Sequence, residues 1–246
     1  LQNPPLARFK IVRLAAQVHL VFINVHHIIC DGWSLGILTR ELGEIYGKDF
    51  PGFENLESLA SPKQLSQFAL EQADLQRLPL FQKNENYWLE QFKDGVPVLE
   101  LPTDFPRPPV KTFNGAVEKI SFDPAFTAQL RKAAAKQGVT FYVFMLAAFQ
   151  AFLHRLTGQD DFVVGVAAAG HNLPGNQNLV GHAISLLPVR TKVDGKAGFG
   201  DYLKTVRRQV LDAFDHQQYT FGALLKKLKI SRNASRNTLV SVAFNL

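Results

Sequence analysis

The sequence predicts an α/β fold, and three observations carry that prediction. An almost continuously apolar run, Val18–Val25, leads through a short loop into a helical pattern. Strand-like and helix-like segments alternate again after residue 115, the signature of layered sheets and helices. Between them, Gly95, Pro97, Pro102, Pro106, Pro108, Pro109 and Gly115 crowd into one stretch. So many breakers read as a crossover between two bodies. A chain of 246 residues can bury one large core or two small ones.

Taken in order, residues 1–6 open the chain with two prolines, and two short strand-like runs precede His26. The second run, 18–25, is apolar at nearly every position, as expected of a strand buried on both faces. Gly32 lets the chain turn sharply, and Leu35, Leu38, Leu42, Ile45 and Tyr46 then recur at helical spacing from Trp33 onward. After the crossover a strand is expected over 116–122 and a helix opening at Pro124, a residue well tolerated in a first turn. A long apolar helix follows over 141–156, then strands over 162–166 and 183–193, and a helix over 202–214.

The junction of the apolar run with the first helix holds the residues most suited to chemistry: His26, His27, Asp31, Gly32, Trp33 and Ser34. Strand ends that face a helix N-terminus are common places for active sites. In an extended strand His27 shares a face with Val25 and Ile23 while His26 takes the other, so only one imidazole faces a given cleft. Apolar walls and the positive helix end would keep that imidazole neutral, the state a general base needs. Asp31 at the hinge can orient a histidine, pair with an Arg, or cap the helix. The structural alternative is that both histidines are satisfied core or turn residues.

Composition narrows the function classes. Two adjacent histidines on opposite faces make poor co-ligands, and no Cys or His cluster has zinc spacing, so no metal site is expected. Cys30, the single cysteine, reads as a small buried apolar residue and excludes an internal disulfide. No charge-free apolar stretch is long enough to cross a bilayer, and no signal peptide is visible, which points to a cytoplasmic setting without a membrane partner. The net charge of +6 and the pI near 9.4 raise a nucleic-acid reading through Arg207, Arg208, Lys226, Lys227 and Lys229. These residues sit in amphipathic helical patterns, where a solvated basic face is the usual explanation, and no nucleic-acid motif accompanies them.

His26-His27-Ile28-Ile29-Cys30-Asp31-Gly32-Trp33-Ser34 resembles the signature of condensation domains of non-ribosomal peptide synthetases. Further segments resemble that family in its own order. Residues 180–190, VGHAISLLPVR, are similar to its Gly-x-Phe-Val-Asn-Thr segment ending in Arg. Residues 216–221, HQQYTF, are similar to His-Gln-Asp-Tyr-Pro-Phe, and 235–239 with 244–246 to Ser-Arg-Asn-Pro-Leu followed by Phe-Asn-Leu. Residues 101–108 look like a family connecting segment. Ser185 stands where the family usually has Asn, Gln218 where it has Asp, and Thr220 and Thr238 where it has Pro. An Asp is common in the place of Asn233, and the stretch around Leu65, Gln67, Phe68 and Ala69 is a faint Tyr-x-Asp-Phe-Ala motif.

The resemblance implies a chloramphenicol acetyltransferase-like fold of two lobes, layered sheets with flanking helices, here truncated. Residues 1–100 would be the remainder of the N-terminal lobe, 101–115 the inter-lobe crossover, and 116–246 most of the C-terminal lobe. It implies amide formation between a donor acyl or peptidyl thioester and an acceptor aminoacyl thioester. His27 would accept the amine proton or hold the amine in line, and the Gly32 N–H, at a position tolerating no bulk, would face the oxyanion. His26, Trp33 and Ser34 would be support, and Asp31 would pair with Arg190, or failing that Arg155. Ser185, His216, Gln217 and Asn245 would line the cleft. No cofactor would bind directly, since substrates ride on phosphopantetheine arms. The expected partners are the upstream and downstream carrier domains and an adjacent adenylation domain. An epimerizing relative, a coenzyme A-dependent acyltransferase and a non-catalytic carrier-docking module are the alternatives. Heterocyclizing relatives, which have Asp in place of the histidines, do not fit.

Overall fold

The computed structural model describes residues 3–48, 62–231 and 233–246. Leu1 and Gln2 of the opening run lie outside the described residues. The chain forms two compact units, one of Leu1–Arg77 with Ala169–Ile184, the other of Leu78–Ala168 with Ser185–Leu246. These bounds differ from the 1–100, 101–115 and 116–246 division. The helix α3 (Pro79–Gln91) buries Trp88 among the side chains of the second unit, and the proline-rich stretch lies wholly within that unit.

In the first unit β1 (Ala7–Ala15) and β2 (Val18–Val25) form an antiparallel hairpin, paired from Ala7↔Val25 to Ala15↔Val18 with a register shift between Arg13 and Ala15. The apolar run is a strand, as its β-branched and aromatic residues favour. Burial on both faces does not hold: Phe9, Ile11, Leu20 and Phe22 are all exposed. The physical reason is that among the described residues the sheet has only two strands, too few to enclose its own apolar side chains. Helix α1 (Gly32–Lys48) begins one residue before Trp33. Its apolar spacing secured the helix without announcing the covered side. Ile37 is buried while Leu35, Leu42, Ile45 and Tyr46 are exposed. Helix α2 (Leu65–Leu75) follows, its start fixed by the Gln64 N–H donating to Gln67 Oε1 at 3.1 Å.

The second unit holds the main core. Its sheet has the order β4-β3-β5, with β3 (Asp161–Ala169) parallel to β5 (Val242–Phe244) in the register Val164↔Val242 and Val166↔Phe244, and β4 (Ile184–Lys192) on the other side. The strand β3 is buried at Phe162, Val163, Val164, Gly165 and Val166, as a central strand covered on both faces should be. A Cβ on Gly165 would lie 2.7 Å from Val240 Cγ1 and 2.9 Å from Leu186 Cδ1, so any larger residue there would force these side chains to shift. Helix α4 (Pro124–Lys136) opens at its proline, capped by Asp123 accepting from the Ala125 N–H at 3.1 Å. Helix α5 (Phe141–Thr157) runs one residue past the expected 156 and stops at Gly158, whose φ of 70° suits glycine. Helix α6 (Phe199–Asp215) buries Tyr202, Leu203, Val206, Val210 and Ala213 on one face, and α7 (Phe221–Leu228) packs near α3.

A buried polar chain ties three of these elements. Tyr202 O–H donates to Gln150 Oε1 at 2.9 Å, and Gln150 Nε2 donates to Thr191 Oγ1 at 2.8 Å. Burial pushes the Tyr202 hydroxyl pKa up. The strand expected over 116–122 is absent: those residues are exposed and pair with no strand. Alternating apolar residues make a strand only when another strand accepts their hydrogen bonds. Among the described residues no single helix is long and apolar enough to cross a membrane. Helices α4 and α5 pass that test only as a pair bent by 100°.

Leu146→Ala, which empties a fully buried site on α5, is expected to cost about 2–5 kcal/mol. Phe113→Ala, at a side chain almost wholly in solvent, should stay within about 0.5 kcal/mol of the parent. Urea unfolding of both variants checks the contrast, and equal losses would refute this placement of the core.

Candidate functional site

The first unit gathers His27, Asp31, Gly32, Trp33 and Ser34 with residues 170–183. Strand β2 ends at Val25, and residues 27–29 form a turn that the Ile29 N–H closes on the His26 carbonyl at 3.0 Å. The opposite-face argument for the two histidines therefore does not apply, because neither is in a strand. His26 is held within the turn, its Nδ1 accepting from the Ile28 N–H at 3.1 Å and its own N–H donating to Leu6 O at 2.8 Å. His27 is exposed rather than walled by apolar side chains. Its ring stands edge-to-face with that of His182, centroids 5.2 Å apart and planes at 74°.

Asp31 settles its own ambiguity as the cap of α1. Its Oδ1 accepts from the Ser34 N–H at 2.9 Å, and its carbonyl accepts from the Leu35 N–H at 3.0 Å, the pattern that satisfies orphan donors of a first turn. The other oxygen, Oδ2, accepts from the Ala183 N–H at 3.0 Å. Ser34, fully buried, extends the link: Gly181 N–H donates to its Oγ at 3.0 Å. The single hydroxyl proton serves either Asp31 Oδ1 or Gly181 O, each at 2.8 Å. Burial pushes the Asp31 carboxyl up. The Ser34 and Ala183 amides, the Ser34 hydroxyl and the nearby His171 outweigh it and hold the group below the usual carboxylate range.

The expected pairing of Asp31 with Arg190 is not formed. The Arg190 fork grips Asp161 through Nε at 2.8 Å and Nη2 at 2.6 Å, and its Nη1 donates to Gln91 O at 2.6 Å and to Gly95 O at 3.2 Å. A guanidinium so committed ties α3 and the following loop to β3 and β4. Arg155 is exposed on α5. Of the partners that Asp31 has, the Ser34 amide follows from the cap position, while the Ala183 amide, 152 residues on, is one that sequence spacing cannot announce.

Sequence reasoning missed two histidines. His171 is fully buried, stacks on Trp33 at 5.6 Å with planes 19° apart, and lies 3.7 Å from Asp31 Oδ1. Its Nε2 is 3.0 Å from the Leu179 carbonyl, an acceptor, so Nε2 is the donor and the buried Nδ1 has no partner. His182 lies inside the 180–190 segment already noted, flanked by the two residues that Ser34 and Asp31 bind. A histidine in each of those places was the available signal. Gly32 also corrects its expectation: it is the first helical residue, and a Cβ there would meet nothing within 4 Å. Its N–H is among the donors a helix leaves without an intrahelical partner.

The remaining cleft candidates belong to the second unit. Ser185 is half-buried in β4. His216 ends α6, with Nδ1 2.7 Å from Asp212 O, its ring stacked on Tyr87 at 4.0 Å, and its carbonyl accepting from Trp88 Nε1 at 2.9 Å. These contacts describe a packed helix end. The Gln217 N–H donates to Phe214 O at 3.2 Å, and Asn245 is exposed after β5. Cys30 is buried, and burial followed by the Asp31 charge pushes its thiol pKa up, the condition of an unreactive cysteine. Arg207, Arg208, Lys226, Lys227 and Lys229 are exposed, with Lys227 Nζ 3.1 Å from Glu85 Oε1. Among the described residues no group of three or more His, Cys, Asp or Glu could hold a metal.

Asp31→Asn keeps an acceptor for one amide but turns a donor toward another, and is expected to cost about 1–3 kcal/mol at pH 7. Because the folded pKa lies below the unfolded one, the carboxylate's contribution is complete above about pH 4 and is lost as the pH falls through the lower folded value. Urea unfolding of parent and variant at pH 7 and at pH 3 should show the gap narrowing at the lower pH. A gap of constant size would refute the assignment.

The whole chain, residues 1–246, matches the family described as Condensation domain. Over its full length it is 36% identical to tyrocidine synthase 2 of Brevibacillus parabrevis and 35% identical to bacitracin synthase 2 of Bacillus licheniformis. The chain spans 7% and 9% of the length of those two relatives. Among solved structures, a four-domain nonribosomal peptide synthetase bound to AMP and glycine superposes with a TM-score of 0.83 at 20% identity, covering 98% of this chain and 18% of that one. The X-domain from teicoplanin biosynthesis gives 0.82 at 21%, covering 98% and 54% respectively. These likenesses show a shared mixed α/β fold. On the match over every residue, the chain belongs to the Condensation domain family.

Proposed function

We propose that this chain carries the reacting histidine of an amide-forming condensation between two thioesters borne on the phosphopantetheine arms of carrier domains. The observation that supports it best is the first turn of α1: His27 is exposed beside a capped helix start whose first residue, Gly32, has open space at its Cβ position. In the reaction the acceptor amine attacks the donor carbonyl carbon. The C–S bond breaks, the pantetheine thiolate leaves, and the amine's surplus proton passes to His27 Nε2 or Nδ1 before reaching the thiolate. In this reading the Gly32 N–H meets the oxyanion, a role that needs no side chain. Holding both arms end to end supplies much of the acceleration, up to roughly 7–11 kcal/mol in favourable cases.

In the complete domain residues 1–100 would belong to one lobe, 101–115 to the crossover and 116–246 to the other. His26, Trp33 and Ser34 serve as support, with Arg190 holding the second unit. The expected partners are the two carrier domains and a neighbouring adenylation domain, in a cytoplasmic setting. A second reading, docking without turnover, keeps the same surface and loses only the chemistry.

The test is single-turnover condensation on carrier-bound substrates, read by intact mass, with the chain extended at both ends. His27→Ala should abolish product while leaving stability to urea within about 0.5 kcal/mol of the parent. Full turnover by that variant would sink the proposal, and carrier binding without product from the parent would favour docking. The basic surface suits acidic carrier domains, so raising salt from about 50 to about 500 mM should weaken carrier binding. Salt-independent binding would remove that part.

A further inference from the structure

We propose that His182 is a positioning residue that sets the orientation of the His27 ring. The backbone on either side of His182 is fastened to the first turn of α1: Gly181 N–H to Ser34 Oγ at 3.0 Å, and Ala183 N–H to Asp31 Oδ2 at 3.0 Å. Ala183 is fixed from its other side as well, its carbonyl accepting from the Gly170 N–H at 2.8 Å. A Cβ on Gly170 would come within 2.6 Å of that backbone oxygen, so the main chain is closely packed there, and one on Gly181 would come within 2.6 Å of the end of the Leu65 side chain. Gly181 and Ala183 are buried while His182 between them is exposed. With the main chain bonded inward at both neighbours, the side chain of His182 points outward, and there it meets His27.

The meeting is specific in geometry. Aromatic rings favour an edge-to-face arrangement at this separation because the positive edge of one meets the negative face of the other. The rings of His27 and His182 stand 5.2 Å apart at 74°. His27 needs such a neighbour, because no hydrogen bond among the described residues engages its ring. The adjacent His26 has its Nδ1 committed to the Ile28 N–H at 3.1 Å. A ring contact restrains His27 without taking up a ring nitrogen in a hydrogen bond, and none is formed to its ring among the described residues. The same fastening that caps α1 therefore also places His182, and through it the proposed reacting group.

This inference rests on the proposed role of His27, and its test separates the two. His182→Ala and His182→Phe are compared with the parent, the second keeping a ring without nitrogens. In NMR spectra of this chain the ring C–H signals of His27 should move in His182→Ala and stay near their parent positions in His182→Phe. In the extended chain His182→Ala should lower the single-turnover rate constant by about five- to tenfold with the half-saturating carrier concentration unchanged, and His182→Phe should return it to within about twofold. His27 signals indifferent to His182→Ala overturn the inference whatever the turnover, as does a His182→Phe rate as low as that of His182→Ala. Normal turnover by His27→Ala would sink the underlying reading instead, with the ring contact still decided by the spectra.

Discussion

The carboxylate of Asp31 is the constraint on which the site depends. A helix start leaves amides without partners, and a buried carboxylate leaves lone pairs without donors. Each need answers the other here: Oδ1 takes the Ser34 N–H, and Oδ2 reaches across to Ala183, 152 residues away in sequence. The desolvation cost of a buried charge makes the arrangement intolerant of partial satisfaction. Ser34 doubles the link through Gly181. With that knot in place, the turn carrying His27, the N–H of Gly32 and the side chain of His182 belong to one rigid neighbourhood. Without it they would be parts of separate loops.

A comparable solution appears in the second unit with the signs exchanged. Arg190 presents a planar fork of donors, and Asp161 with the carbonyls of Gln91 and Gly95 accepts from it. Glu85 is satisfied there by Tyr219 O–H at 2.8 Å and Lys227 at 3.1 Å. Burial raises the Glu85 carboxyl, but these partners outweigh it and bring the group below its ordinary range. The apolar core around Leu146, Phe162 and Val206 supplies the bulk of the burial. The polar knots decide which loops are fixed against it.

Most helices and the central strand could be read from the chain, because their signals are local. Pro124 in a first turn and the apolar 141–156 run mark helices by backbone chemistry and spacing that need no distant partner. The expected strands over 162–166 and 183–193 are close to β3 and β4 for the same reason. Two of the failures share a cause. Residues 116–122 and 18–25 have strand-like side chains, yet pairing and coverage are properties of neighbours, so one is unpaired and the other exposed. The short α7 and β5 carry too few residues for a periodic signal.

Residue order alone places a histidine pair and Asp31-Gly32 between the end of an apolar strand and the start of a helix, since periodicity and caps act over a few residues. It also carries the family, because the family's segments recur in order along the whole chain. The partners of these groups come from the folded arrangement. Asp31 binds amides at Ser34 and Ala183 rather than an arginine, His171 fills the space beside Trp33, and His182 meets His27. A carboxylate is satisfied equally well by a guanidinium or by two N–H groups, and the choice rests on which backbone the fold brings within hydrogen-bonding reach.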